Sequence, residues 1–215
     1  MSYSVKEIYY TLQGEGANTG RPAVFVRFAG CNLWTGIEKD RGQGPGGCSR
    51  WCDTNFVGTD GPGGGKFRTA DELVAAIIAQ WPTAARGSRP FAVATGGEPM
   101  LQLDPALLSG LERAGFSLAV ETNGTVKPPP GDYWITVSPK AGSTLKVLMG
   151  NELKLVYPQQ GAEPERFESL DFGLFYLQPM DGADREQNTL RALEYCLAHP
   201  QWRLSIQSQK YLNIP

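Results

Sequence analysis

Three cysteines, Cys31, Cys48 and Cys52, lie in a Gly-rich stretch that directly follows an apolar run. Thiolates are soft ligands that suit zinc or an iron–sulfur cluster. Structural zinc takes four protein ligands, and no fourth cysteine or histidine stands nearby; the single histidine, His199, is far down the chain. Three thiolates would leave one iron of a [4Fe-4S] cubane open to a substrate, and an open iron implies chemistry as well as electron storage. Two other readings stay open on these residues alone: zinc completed by a carboxylate or a distant residue, and three ordinary thiols in a mobile loop. Cys196, next to Leu197 in an amphipathic stretch, reads as a core residue.

The elements that must position these residues alternate along the chain. The apolar run 23–28 reads as a buried strand that ends at Gly30-Cys31. Two Gly-rich stretches, 42–47 and 61–65, bracket Cys48 and Cys52 and are expected to hold no regular structure. Thr69-Ala-Asp-Glu72 has the capping-box form, and with Leu73, Ala76, Ile77 and Trp81 it predicts a helix over 70–81. A strand over 91–94 stops at Thr95-Gly-Gly-Glu-Pro99. Asp104-Pro105 reads as an N-cap with proline at the first helical position, and Gly115 as the stop. Further strands are expected at 118–120, 133–137, 153–157, 174–177 and 203–206. A last helix over about 184–198 carries Leu190, Leu193 and Leu197 on one side and ends before Pro200.

Strands alternating with helices imply an α/β fold with a mainly parallel sheet, open or curled into a barrel. Ligands in such folds sit at the carboxyl ends of the strands. The polar motifs Gly30-Cys31, Thr95-Gly-Gly-Glu-Pro99, Glu121-Thr-Asn123, Ser138-Pro-Lys140 and Gln178-Pro-Met-Asp181 all fall at expected strand ends, which argues for one composite site.

Composition narrows the class. The 215 residues are 41% hydrophobic and 20% charged, enough for a sizeable core and in keeping with one domain over 1–215. A formal charge of -2 without any run of Lys or Arg points away from nucleic-acid and anionic-membrane partners. The N-terminal segment lacks the apolar core of a signal peptide, and no apolar run approaches the roughly 20 residues of a membrane span. A cytoplasmic protein is expected, and in a reducing compartment cysteines serve as ligands or catalysts more often than as disulfides.

An ordered series of motifs now carries a resemblance. Tyr10-Thr-Leu-Gln-Gly-Glu-Gly16, Gly20-Arg-Pro22, Phe25-Val-Arg-Phe28, Gly30-Cys-Asn-Leu33 and Cys52-Asp-Thr54 come first; the Thr95, Glu121, Ser138 and Gln178 motifs and the terminal Lys210-Tyr-Leu-Asn-Ile-Pro215 complete the set. Together they resemble the 7-carboxy-7-deazaguanine synthases, radical S-adenosylmethionine (SAM) enzymes of 7-deazapurine (queuosine) biosynthesis, over nearly the whole chain. The resemblance implies a partial, TIM-like radical SAM barrel. It implies a [4Fe-4S] cluster, SAM and Mg2+ as cofactors, and a carbon–nitrogen lyase reaction on 6-carboxy-5,6,7,8-tetrahydropterin that begins with a 5'-deoxyadenosyl radical. It further implies a one-electron reductant such as flavodoxin, and a homodimer.

Residue roles follow from the resemblance by position. Cys31, Cys48 and Cys52 match the cluster ligands and Thr54 the Mg2+ ligand. Trp51, Gly97, Ser138, Pro139, Lys140, Gln178, Pro179, Met180 and Asp181 match positions around SAM. Leu12, Gln13, Gly14, Arg27, Thr95 and the Pro215 terminus match substrate contacts. Chemistry supports some of these placements independently. Paired pterin N–H donors suit a carboxylate such as Glu121 or the Pro215 terminus, and a guanidinium such as Arg27 offers a fork to the 6-carboxylate. No side chain is assigned as the chemical catalyst, although Arg27 and Glu121 are candidates. Taken alone, Arg27 has a surface residue as its lesser reading, and Asp53 reads as a loop cap in preference to a ligand.

Two departures from the family pattern stand out. Cys48-Ser-Arg-Trp-Cys52 has three intervening residues where the family has two, which requires a bulge and puts the doubt on Cys48. Gln209 stands where close relatives tend to carry His, and glutamine cannot transfer a proton as His would. Two rival readings are a glycyl-radical activating enzyme and a non-catalytic metal or iron–sulfur module. The Gly-Glu-Gly and C-terminal Ile-Pro motifs argue against the first; the second leaves the strand-end motifs without a role.

Overall fold

A computed structural model describes residues 2–83 and 88–215. The strands are β1 (Tyr3–Leu12), β2 (Pro22–Phe28), β3 (Gly65–Phe67), β4 (Phe91–Gly96), β5 (Ser117–Thr122), β6 (Trp134–Val137), β7 (Met149–Tyr157), β8 (Asp171–Pro179) and β9 (Trp202–Leu204). The helices are α1 (Ala70–Gln80), α2 (Pro105–Arg113), α3 (Arg185–Ala198) and α4 (Ser208–Leu212). All nine strands form one open sheet in the order β3-β1-β2-β4-β5-β6-β7-β8-β9. From β2 to β9 every pairing is parallel; β1 is antiparallel to both of its neighbours. The sheet does not close into a barrel.

Parallel pairing places the ends of β2, β4, β5, β6 and β8 along one edge, so the motifs that follow these strands converge. Side chains alternate between faces with a period of two. On one face the register aligns Phe25 with Val93, Val93 with Ala119 and Ala119 with Trp134, an apolar floor. Two residues nearer the carboxyl ends, the register aligns Arg27 with Thr95, Glu121 with Thr136 and Thr136 with Glu152. A polar layer therefore lies directly above an apolar one.

The opposite face is apolar. Val24, Val26, Ala92, Ala94, Leu118 and Val120 pack against Leu73 and Ile77 of α1 and Leu107 and Leu111 of α2. Val137, Leu153, Leu155 and Leu177 form a second cluster with Ala192 of α3 and Trp202, and the half-buried Cys196 packs at its edge. The caps follow sequence logic. The Thr69 hydroxyl accepts the Glu72 N–H, the Asp104 carboxylate accepts the Leu107 N–H beside Pro105, and Gly115 adopts φ +79 after α2.

Several expectations need correction. The 10-residue strand β1 was not foreseen, because its apolar and polar residues do not alternate cleanly: Tyr3, Val5, Lys6 and Ile8 are all buried. A register shift between Val5 and Glu7 explains the broken period. The Gly-rich stretches are not wholly irregular, since Gly47 opens a short 3-10 turn and Gly65 opens β3. Helices separate only some strands: β5, β6, β7 and β8 are joined without an α-helix. Leu190, Leu193 and Leu197 are 59%, 40% and 75% exposed, so they do not form the buried side of α3. That side is Asn188 and Ala192; helical spacing predicts a stripe without saying which stripe meets the sheet. Nor is α3 the last helix, because α4 follows β9.

Candidate active site

Cys31 leaves β2 through Gly30, whose φ of +87 turns the chain away from the sheet. Gly30 is clamped from both sides: its N–H donates to the Phe56 carbonyl at 3.2 Å, and its carbonyl accepts the Glu98 N–H at 2.9 Å. Gly97 lies so close that a Cβ there would stand 2.0 Å from the Gly30 oxygen and 2.9 Å from Cys31 Cβ. The glycine is required by close approach. Glu98, next in the chain, is fully buried; its carboxylate accepts from the Met100 N–H, the Thr122 hydroxyl and the Asn123 N–H. It braces the end of β4 against the end of β5.

Cys48 stands in the 3-10 turn Gly47–Arg50, and Trp51 and Cys52 both donate backbone N–H groups to its carbonyl, at 3.0 and 2.7 Å. The turn absorbs the extra residue between the two cysteines, so the bulge required by the sequence is a hydrogen-bonded one. Cys31, Cys48 and Cys52 all line one cleft of about 370 Å³. Burial raises the thiol pKa of Cys31, and that of Cys48 to about 11. Lys140 of the Ser138-Pro-Lys140 motif lines the cleft with them, half-buried, donating to Ser138 Oγ, with its Nζ 5.6 Å from the Trp51 ring centre. Among the described residues no three Cys, His, Asp or Glu side chains converge on one point. Three thiols lining one cleft fit a cluster, where each thiolate binds a different iron.

In the same cleft the polar layer carries a charge network. Glu121 Oε1 accepts from Gln13 Nε2 at 3.1 Å and from Lys154 Nζ at 3.2 Å, and its Oε2 accepts from the Thr95 hydroxyl at 3.2 Å. Lys154 also donates to Glu15 Oε2, and Glu15 Oε1 accepts from Gln207 and Gln209 at 3.1 and 2.9 Å. Burial alone would raise the Glu15 pKa, but Lys154 and the two amides outweigh it and hold Glu15 at about 2. Burial likewise works against the Lys154 charge, yet Glu121, Glu15 and Glu152 keep it firmly protonated. Arg27, a half-buried residue of the cleft lining, donates from Nε to Glu7 at 2.7 Å and from Nη2 to Tyr9 Oη at 2.9 Å. Its other guanidinium N–H groups remain for a ligand.

The tail after β9 covers one side of the cleft. Ser208 donates its N–H and hydroxyl to the Gly14 carbonyl at 3.1 and 2.9 Å. Lys210 bridges Asp53 at 2.7 Å and Asp181 at 2.6 Å, and the Thr11 hydroxyl reaches the Pro215 oxygen at 3.2 Å. Asp53 is thereby committed to Lys210, and both it and the neighbouring Thr54 line the cleft.

Leu12, Gln13, Gly14, Arg27, Trp51, Thr54, Thr95, Gly97, Glu121, Ser138, Lys140, Gln178 and Pro215 all line this cleft with the three cysteines. Gln178 Oε1 and Gln209 Oε1 are buried there without a hydrogen-bond partner, acceptors left for a bound molecule. Four expected residues stand off the cleft lining. The Pro139 carbonyl accepts from Gln159, the Met180 N–H donates to the Tyr157 carbonyl while the Met180 carbonyl accepts from Asn188 Nδ2, Pro179 borders a separate small hollow, and Asp181 holds Lys210. Sequence reasoning gave no role to Glu15 or Lys154. The available signal was Glu152-Leu-Lys-Leu155, whose charged residues fall on the inward phase of a strand.

The comparisons with known proteins agree with this geometry. No family model matches the chain. The chain is 59% identical over 215 residues to the 7-carboxy-7-deazaguanine synthase of Caulobacter vibrioides, and 58% identical over 215 residues to that of Burkholderia multivorans; each alignment covers 100% of both proteins. Among solved structures, it is similar to the crystal structure of QueE from Escherichia coli, with a TM-score of 0.71, 29% identity, and coverage of 97% of this chain and 95% of that one.

Proposed function

The chain belongs to the 7-carboxy-7-deazaguanine synthase family, and we propose that it converts 6-carboxy-5,6,7,8-tetrahydropterin to 7-carboxy-7-deazaguanine with loss of ammonia. It does so as a radical SAM carbon–nitrogen lyase of 7-deazapurine (queuosine) biosynthesis, built as a single domain over 1–215. The observation that carries this reading is one cleft lined both by three thiols and by the Arg27–Thr95–Glu121 layer.

Cys31, Cys48 and Cys52 would hold the [4Fe-4S] cluster, leaving one iron to SAM. Cluster and SAM together supply one-electron chemistry, a 5'-deoxyadenosyl radical able to take hydrogen from carbon. Trp51, Gly97, Ser138, Lys140 and Gln178 hold SAM; Gln178 Oε1, buried and unpaired, accepts one of its N–H or O–H donors. Arg27 binds the 6-carboxylate with the donors that Glu7 and Tyr9 leave free. Glu121 accepts a pterin N–H at the lone pair still open on Oε2. Leu12, Gln13, Gly14 and Pro215 complete the substrate wall, and the tail held by Ser208 and Lys210 excludes water from it. The Thr54 hydroxyl is the protein ligand to a Mg2+ ion that keeps several waters.

A flavodoxin-like reductant, a homodimer and a cytoplasmic setting complete the proposal. The exposed leucines of α3 offer an apolar surface for a contact between copies. No helix among the described residues is long and apolar enough to cross a membrane.

Anaerobic reconstitution with iron and sulfide, followed by reduction in the presence of SAM and the carboxypterin, tests the function. Formation of 5'-deoxyadenosine together with 7-carboxy-7-deazaguanine is expected. Formation of 5'-deoxyadenosine with the carboxypterin left intact would instead favour an activating enzyme, and no 5'-deoxyadenosine at all would favour a binding module.

A further inference from the structure

Lys154 is a buried cation in the wall of the cleft, its side chain 6% exposed, and the functional reading above gives it no part. It comes from β7, two residues along from Glu152 on the same face, and its ammonium lies between Glu15 and Glu121. An ammonium has three N–H donors. Glu15 and Glu121 take two of them, so the third is left for a bound molecule. Glu121 is similarly incomplete. Gln13 and Lys154 occupy Oε1 and Thr95 occupies one site of Oε2, leaving one acceptor position on the same cleft wall.

One free donor on Nζ therefore stands beside one free acceptor position on Oε2, since Nζ lies 3.2 Å from Oε1 of the same carboxylate. That pattern complements a cyclic lactam, in which a ring N–H donor adjoins a carbonyl acceptor. A pterin carries this edge at N3–H and O4. Resting on the proposed carboxypterin substrate, we infer that Lys154 and Glu121 form a specificity pair: Lys154 donates to the 4-oxo oxygen while Glu121 accepts N3–H. The assignment also gives the burial of Lys154 a purpose. A charge fixed by two carboxylates cannot swing to water, so its free N–H stays aimed at the ligand.

The pair reads the edge by opposition as well as attraction. A 2,4-diaminopteridine has an amino donor at position 4 and a bare ring nitrogen at position 3, so it presents a donor to Lys154 and a lone pair to Glu121. Both contacts become repulsive, and buried groups left unpaired discriminate strongly.

The test measures binding to the cluster-loaded, SAM-bound protein, above the pH at which the diaminopyrimidine ring takes a proton. The probes are 6-carboxypterin and 2,4-diamino-6-carboxypteridine. The native chain should prefer the oxo compound by about 100-fold or more. Lys154→Met should reduce that preference to about three-fold, and Lys154→Arg should restore part of it. Because K154M leaves Glu15 and Glu121 without their cation, E15Q/K154M is measured beside it, with circular dichroism and iron content to establish that each variant is folded and loaded. Equal binding of the two probes by the native chain, or an undiminished preference in the folded K154M or E15Q/K154M protein, would overturn the assignment. Binding of neither probe, with no consumption of the carboxypterin, would instead overturn the substrate reading on which it rests.

Discussion

The backbone N–H of Cys52 donates to the carbonyl of Cys48 at 2.7 Å, closing a single turn over the three residues between them. Because Trp51 donates to the same carbonyl, the segment is a formed element and not a slack loop. Cys48, the most buried of the three cysteines, lines the cleft with Cys31 and Cys52.

If Cys48 is a cluster ligand, Cys48→Ala should reduce reconstituted iron and sulfide to about a tenth or less, as loss of one thiolate in three removes the chelate. Ultraviolet–visible absorbance and iron analysis measure this, and the same variant should form no 5'-deoxyadenosine. Full iron content in C48A would exclude it as a ligand.

Gly97→Ala would place a methyl group 2.0 Å from the Gly30 carbonyl oxygen. Overpacking of backbone against backbone costs on the order of 2 kcal/mol, which for a chain of this size lowers Tm by about 4–8 °C. The displaced neighbour is Cys31, so iron loading should fall as well. Unchanged Tm and iron content would show that the two loops tolerate separation.

Glu15 predicts an acid limb in stability. Its folded pKa is about 2, below the ordinary carboxylate value of 4.5. A depressed carboxylate contributes stability that is fully present above the unfolded value and is lost as pH falls through the folded one. The window is therefore between 4.5 and about 2, and the contribution is on the order of 3 kcal/mol. Urea unfolding against pH should show a shallower decline in Glu15→Gln than in the native chain across that window. Parallel slopes would show that other carboxylates govern acid unfolding.

Lys210→Met should loosen the tail, since Lys210 joins α4 both to Asp53 beside Thr54 and to Asp181 beyond β8. Partly exposed ion pairs contribute about 1 kcal/mol, so the carboxypterin KM should rise about five-fold. The effect should shrink in high salt, where the native pairs are themselves screened. Steady-state kinetics at two ionic strengths decide; a KM unchanged at low salt would mean that Ser208 and the two glutamines seat the tail unaided.

Sequence by itself determined several of the elements and the strand-end motifs of the site. The capping box at Thr69, Asp104-Pro105 before α2 and Gly115 after it act within a few residues, so they were legible without a fold. The motifs at the strand ends were legible too, because parallel pairing brings such ends to one edge. Tertiary structure decided what depends on partners distant in the chain. It set which face of α3 is buried, and it gave β1 its place through a register shift. It also moved Pro139, Pro179, Met180 and Asp181 from the cleft lining to bracing positions. Above all it brought Glu15, Glu121 and Lys154 together. A buried ammonium is stable only where carboxylates from other segments surround it, and no spacing along one strand reveals that they will.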